Sequence, residues 1–229
     1  MVSATDPGPE GPAPERLVAI LLAAGAGSRF TGSGHKLEAL IEGVPVVVHA
    51  LEAARAAGIG PIVVVRGAER LPQIEPGAER LPQIEPGAER LPQIEPGAER
   101  LPQVQHVVLV DNPDWEAGQI TSLRAGLRAA EQLGADAAVV GLGDQPFIDP
   151  SAWQAVAAST APIAVATYDG ERGHPVRLHR SVWHLLPHEG DQGARSVLAM
   201  HPELVEEIAC QGASTDIDTV EDLRTWQSN

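Results

Sequence analysis

Four short apolar runs, RLVAILL (16–22), PIVVVR (61–66), HVVLV (106–110) and AAVVGL (137–142), are spaced along the chain with helix-length or longer segments between them. Runs of this length without polar alternation are strands covered on both faces, and such strands belong to parallel sheets. Parallel neighbours require a crossover of about a dozen residues, usually a helix. Residues 45–57 (PVVVHALEAARAA) open with Pro and stop at Gly58, residues 119–133 (QITSLRAGLRAAEQL) carry Ile120, Leu123 and Leu127 at helical spacing, and SAWQAVAAS (151–159) also reads as helix. PIAVATY (162–168) is expected as a further strand and LVEEIAC (204–210) as an edge strand. The pattern predicts an α/β fold, a three-layer, mostly parallel sheet with helices on both faces.

At 229 residues, one domain spanning 16–229 is expected after a Pro/Gly-rich flexible tail at 1–15, MVSATDPGPEGPAPE. Aromatic residues make up only 3%, so the core must come from Ala, Val, Leu and Ile. The net charge of -15 argues against nucleic acid or an anionic membrane as partner. Cys210 is the single cysteine, which excludes an internal disulfide and fits a reducing cytoplasm, and no stretch has the apolar length of a signal peptide or membrane span.

Between the second and third runs stands a ten-residue phrase, GAERLPQIEP, written three times from Gly67 to Pro96 and begun a fourth time as GAERLPQVQH. Without those thirty residues the connection would have nine, close to the lower limit of a parallel crossover. The fold therefore needs about one copy. Two prolines per copy break a continuous helix, and Leu71 and Ile74 recur at a spacing that keeps to no helix face. A tandem-repeat insertion at about 67–106 with little structure of its own is expected, a small solenoid being the alternative.

Three segments carry the chemistry. LLAAGAGSRFTGSGHKL (21–37) is a glycine-rich turn after a strand, where backbone N–H groups can converge on phosphate and Arg29 and Lys36 add positive charge. It also reads as a plain strand-to-helix turn. Phe30 breaks the dinucleotide pattern and Leu37 breaks the Walker pattern. GLGDQP (141–146) puts Asp144 at the carboxyl end of a central strand, the place for a Mg2+-holding carboxylate or for a helix-capping Asp. TDIDTVEDL (215–223) places Asp216 and Asp218 on one face of extended backbone, suited to completing a metal site with Asp144, while Thr219 and Asp222 have capping spacing. No HExxH or G-x-S-x-G occurs, which leaves a zinc hydrolase or serine hydrolase without support.

In order along the chain stand LLAAGAGSRF with His35-Lys36-Leu37, NPDWEAGQITSLRAGL, GLGDQPFI, ERGHPVRL, GDQGARSVL and DIDTVEDL. Together they resemble the molybdenum cofactor cytidylyltransferase-like nucleotidyltransferases, a family with a glycosyltransferase-A-like Rossmann sheet. The resemblance implies that Ala23, Ala24, Gly25, Gly27, Ser28 and Arg29 cradle a nucleoside triphosphate, with Lys36 against its phosphates and Gly118 and Ser122 near base and ribose. It implies Mg2+ on Asp144, with Asp216 or Asp218 as second ligand, and Gly173, His174, Pro175, Asp191 and Arg195 facing the acceptor. Arg29, Lys36 and Asp144 are the implied catalytic groups. The Ala23-Ala24-Gly25 opening goes with CTP, where guanylyl transferases tend to have a second Gly. Phe30 in place of a common Met, the longer loop from Thr31 to Gly34, and Val220 in place of a usual Pro depart from the family pattern.

The implied reaction is Mg2+-dependent transfer of CMP from CTP to a molybdopterin-type phosphorylated acceptor, releasing pyrophosphate, with transient contact to a molybdoenzyme or its maturation chaperone. Transfer to a sugar phosphate or other small phosphorylated metabolite is the alternative, as is a non-catalytic nucleotide-binding protein of the same fold. An ionised phosphate nucleophile needs no strong general base, which matches a set of glycines, cations and carboxylates.

Overall fold

The computed structural model describes residues 14–31, 34–67, 70, 71, 74, 79, 80, 107–191 and 193–227. The chain runs β1 (Leu17–Ala23), a short hairpin of β2 (Leu40–Ile41) and β3 (Val44–Pro45), α1 (Val46–Ala57), β4 (Ile62–Arg66), β5 (Glu79–Arg80) and β6 (Val107–Asp111). It continues through α2 (Gln119–Gln132), β7 (Ala137–Leu142), α3 (Pro150–Ala157), β8 (Ile163–Tyr168), β9 (Glu171–His179), α4 (Arg195–Met200), β10 (Val205–Ala209) and α5 (Val220–Gln227).

Eight strands pair in the order β10-β8-β9-β7-β1-β4-β6-β5, and only β9 runs antiparallel to its neighbours. The sheet is the mostly parallel one expected, with helices on both faces. Alternation along β1 divides the core: Ala19, Leu21 and Ala23 pack with α1 and α3, while Ile20 and Leu22 pack with α2 and α4. Both layers are aliphatic apart from Trp153 and Tyr168 on the α1/α3 side and the partly buried Trp183 on the other. Helix α2 comes so near the sheet that a Cβ on Gly126 would stand 2.7 Å from Ile20 Cγ2. The β2–β3 hairpin, not foreseen from sequence, turns on Glu42 and Gly43, both at positive φ as a two-residue hairpin turn requires.

Strand β9 is the main departure from the sequence expectation. Gly173, Pro175 and three arginyl or glutamyl residues disguise it, yet it lies between β7 and β8. Arg177, only 1% exposed, is accommodated there because its guanidinium donates to both oxygens of Glu15 at 2.5 and 2.6 Å and to the Ala161 carbonyl. Glu15, expected as the last residue of the tail, is thus tied to the sheet.

The expectations for residues 1–13, and for most of the repeat, lie outside the described residues. Within the first copy, Leu71 and Ile74 are 0% and 5% exposed and join the core on the α1 side. Glu79 and Arg80 of the second copy pair parallel with Val108 and Leu109 at the sheet edge. No helix among the described residues is long and apolar enough to cross a membrane.

Removing one partner of a buried ion pair leaves an uncompensated charge, a loss reduced here because Glu15 is partly solvated. Glu15→Ala should therefore lower unfolding stability by about 2 kcal/mol, read from the denaturant midpoint.

Candidate active site

Strand β1 pairs in parallel with β4 on one edge and β7 on the other. Helices α1 and α3, which follow β1 and β7, cover the same face, but the next strands lie on opposite flanks of the β1–β7 pair, β4 beside β1 and β8 beyond β7, so the loops at their carboxyl ends part and open a crevice. Ligands bind at such switch points in open α/β sheets. The Gly25–Lys36 loop and Gly143-Asp144 both start there, with Gly143 N–H donating to Leu22 O at 2.8 Å.

Ala23 and Ala24 are buried at the end of β1, and Gly25, Ser28 and Arg29 are exposed beyond it. Gly27 has φ 62°, and a Cβ there would lie 2.9 Å from His35 Nε2. His35, quoted in the sequence but given no role, is buried and folds the loop: its Nδ1 accepts from Leu37 N–H, so Nε2 carries the proton that it donates to Gly25 O at 2.9 Å. Phe30 packs with Ile41, Val46 and Ile217, fastening the loop to the C-terminal segment.

Lys36 reaches across the crevice. Its Nζ lies 2.5 Å from Asp144 Oδ2 and 2.8 Å from Asp218 Oδ1, and Asp218 Oδ2 also accepts from Arg29 at 2.8 Å. Loss of solvent opposes the charge on Lys36, but the two carboxylates outweigh it and hold the ammonium's pKa above its usual value. The Lys36 and Asp144 side chains are only 12% and 18% exposed, so their attraction is weakly screened. Arg29 is 80% exposed, so its own pair contributes little to stability and the guanidinium can swing to another anion at small cost.

Burial of one residue sets this arrangement. Ile217 is fully buried and its N–H donates to Asp144 O at 2.9 Å, which locks the DID segment against the end of β7. Asp216 and Asp218 flank that anchor, and they find different partners. Asp216 Oδ1 accepts from Gln145 Nε2 at 2.6 Å while Asp218 joins Lys36. Desolvation raises the pKa of Asp216, helped by the negative charge of Asp144 and opposed by the Gln145 hydrogen bond. The capping role of Thr219 and Asp222 coexists with this: Asp222 Oδ2 accepts from Thr219 N–H, and Asp222 N–H donates back to Thr219 Oγ.

Asp144 and Asp218 converge on one cationic centre, so their donor set fits a hard divalent ion. No group of three acidic, imidazole or thiol side chains able to hold a metal occurs among the described residues. An ion here would take its other ligands from phosphate and water, as Mg2+ commonly does.

Beside this cluster opens a cavity of about 320 Å³ whose lining includes Gly173, His174, Arg195 and Asp216, together with Gln119 and Gln145. Desolvation pushes His174 down to about 4, with Arg195 adding to the effect, so the imidazole is neutral near pH 7. Its carbonyl accepts from Tyr168 Oη, and the bond to Pro175 is cis. Gly118 stands at the rim with φ 109°, so close to the opposite wall that a Cβ would lie 2.7 Å from Asp191 Oδ1. Ser122 has a different partner: it is buried and its Oγ accepts from Asn112 Nδ2 at 2.9 Å, joining the start of α2 to the end of β6. Gln145, missed in the sequence, sits next to Asp144 in GLGDQP, and that adjacency was the only signal for it.

Residues 19–206 match the family of MobA-like NTP transferase domains. The chain belongs to that family. It is a nucleotidyltransferase of the MobA-like kind, as the sequence resemblance implied. Among similar proteins, nicotine blue oxidoreductase of Paenarthrobacter nicotinovorans is 29% identical over 89% of this chain and 93% of its own length. The purine catabolism protein PucB of Bacillus subtilis is 33% identical over 48% of this chain and 56% of its own. Rv0371c of Mycobacterium tuberculosis shares the fold at TM-score 0.68 and 23% identity, covering 94% of this chain and 98% of that one, and has also been solved with manganese. The inositol-1-phosphate CTP transferase of T. maritima has a TM-score of 0.64 at 16% identity, covering 93% and 94% of the two chains.

The folded pKa of Asp216 lies above the 3.8 of an unfolded aspartate, so its ionisation costs stability once the pH exceeds both values and costs nothing below 3.8. Asp216→Asn keeps an oxygen for Gln145 and should unfold at higher denaturant than the parent at pH 7. That advantage should fade as the pH falls through the raised folded pKa toward 3.8 and be gone below 3.8, as followed by midpoints across the range.

Proposed function

We propose that this nucleotidyltransferase moves CMP from CTP to a molybdopterin-type phosphorylated acceptor and releases pyrophosphate. The observation that carries the reading is Lys36 Nζ held between Asp144 and Asp218, at the mouth of a glycine-rich loop and next to a cavity containing Arg195. A terminal phosphate oxygen of the acceptor bonds to the α-phosphorus of CTP as the bond from that phosphorus to the bridging oxygen breaks, and pyrophosphate leaves with the electron pair. Lys36 and Arg29 neutralise the triphosphate, and the loop amides orient it. The neutral His174 offers hydrogen bonding without a charge of its own, leaving Arg195 to attract the acceptor's phosphate. Mg2+ held by Asp144 and Asp218 would supply further positive charge at the reacting phosphate; the manganese form of the mycobacterial relative supports a divalent ion of this size.

The Ala23-Ala24-Gly25 opening supports CTP, as does the name of the T. maritima neighbour. Delivery of the product to a molybdoenzyme or its maturation chaperone, in the cytoplasm, belongs to the same reading. The name of the P. nicotinovorans relative favours a second one, in which the same cleft serves an oxidoreductase.

Pyrophosphate release, measured with CTP, GTP, ATP and UTP against molybdopterin, sugar-phosphate and polyol-phosphate acceptors, should be highest with CTP and the molybdopterin acceptor. Lys36→Met and Asp144→Ala should each slow it by roughly a hundredfold or more, since each removes charge directed at the reacting phosphates. Silence with every pair, combined with oxidation of a reduced nicotinamide cofactor, would establish the second reading instead.

A further inference from the structure

The chain carries 31 acidic and 16 basic lysyl or arginyl side chains, so a described arginine ordinarily has a carboxylate beside it. Arg16, Arg29, Arg55, Arg66, Arg172, Arg177, Arg180 and Arg224 all do. Outside the repeat, the described arginines without such a partner are Arg195, Arg124 and Arg128. Arg195 lines the cavity assigned to the acceptor. The other two line a second cavity of about 300 Å³, between α2 and the 3-10 stretch Arg180–Leu185.

Arg124 and Arg128 are one helical turn apart on α2, a like-charged pair that an isolated helix disfavours. Arg180 and His184 face them, and the cavity's one acid, Glu131, is engaged by Arg180 at 2.5 Å. Arg124 spends one nitrogen on the carbonyls of Leu186 and Pro187, at 3.1 and 3.5 Å, which fixes its guanidinium and leaves other N–H donors for a ligand. Trp183 and Leu127 supply an apolar wall, and the indole is pinned by its hydrogen bond to Leu178 O at 3.0 Å. Converging guanidinium groups in a concave site of this volume suit a small phosphate-bearing ligand, because the planar fork pairs with two phosphate oxygens at once.

We infer that the cavity between α2 and residues 180–185 is a second anion site, taking a small ligand of the phosphate or diphosphate class. It is separate from the Lys36 cluster. The carbonyls gripped by Arg124 begin the segment that continues to Gly190, Asp191 and Arg195, so an anion on Arg124 would lie at the root of the acceptor cavity's wall.

The test is calorimetric titration of the full chain with inorganic pyrophosphate, and separately with inorganic phosphate, in the presence of a chelator. Binding should persist in Lys36→Met and weaken roughly tenfold or more in Arg128→Glu, which alters an exposed side chain. Arg55→Glu, on another helix, should leave it unchanged. Tighter binding of pyrophosphate than of phosphate would assign the diphosphate class, and equal binding the monophosphate class. No binding at millimolar ligand, or equal affinity in the parent and Arg128→Glu, would overturn the inference. Loss in Lys36→Met with none in Arg128→Glu would also overturn it, by placing the anion at the first site; because both variants are scored by binding alone, failure of the nucleotidyl-transfer reading would not affect the result.

Discussion

A strand hydrogen-bonded on both edges has no ladder groups left, and β1 is in that position, with β4 on one side and β7 on the other. Both neighbours run in its direction, so the three chains reach the same rim of the sheet and must then part. The crevice they leave is where backbone can approach a ligand without competing against the sheet. Lys36, Asp144 and the glycine loop gather there for that reason. Ile217 completes the arrangement from the far end of the sequence, since its burial beside Phe30 and Val46 brings Asp216 and Asp218 back to the rim.

Charge follows a similar economy. In a chain with net charge of -15, a positive side chain finds a carboxylate unless the fold withholds one. Lys36 has two, and their field raises its pKa against the cost of desolvation. Arg177 tolerates near-complete burial through Glu15, a contact that links the first described residues to the middle of the sheet. Among the described residues outside the repeat, the arginines without a carboxylate beside them stand out against this background, and they line cavities.

The parallel frame was legible because β1, β4, β6 and β7 are continuous aliphatic runs, and their bounds differ from the sequence reading by a residue or so. Strand β9 was not, since its polar residues make sense only with their partners in place: Arg177 looks like a surface residue until Glu15, far away in sequence, is beside it. The candidate site shows the same division. Alternation in Asp216-Ile217-Asp218 revealed that the two acids share a face, and Asp144 and Lys36 were visible as loop residues following strands or glycines. That Asp218 would meet Lys36 while Asp216 turned to Gln145 depends on where three separate segments come together, and no local pattern records that. His35 was overlooked because its work is done through the carbonyl of Gly25, ten residues earlier.

The first copy of the decapeptide sends Leu71 and Ile74 into the core, and the second lays Glu79 and Arg80 along the sheet edge. Because the copies are identical in sequence, sliding the chain by ten residues presents the same side chains to the same sockets. The docking of this crossover is therefore degenerate in register. A gene that gained or lost whole copies would change the length of this connection while encoding an unchanged interior, so copy number here can drift under little restraint from packing.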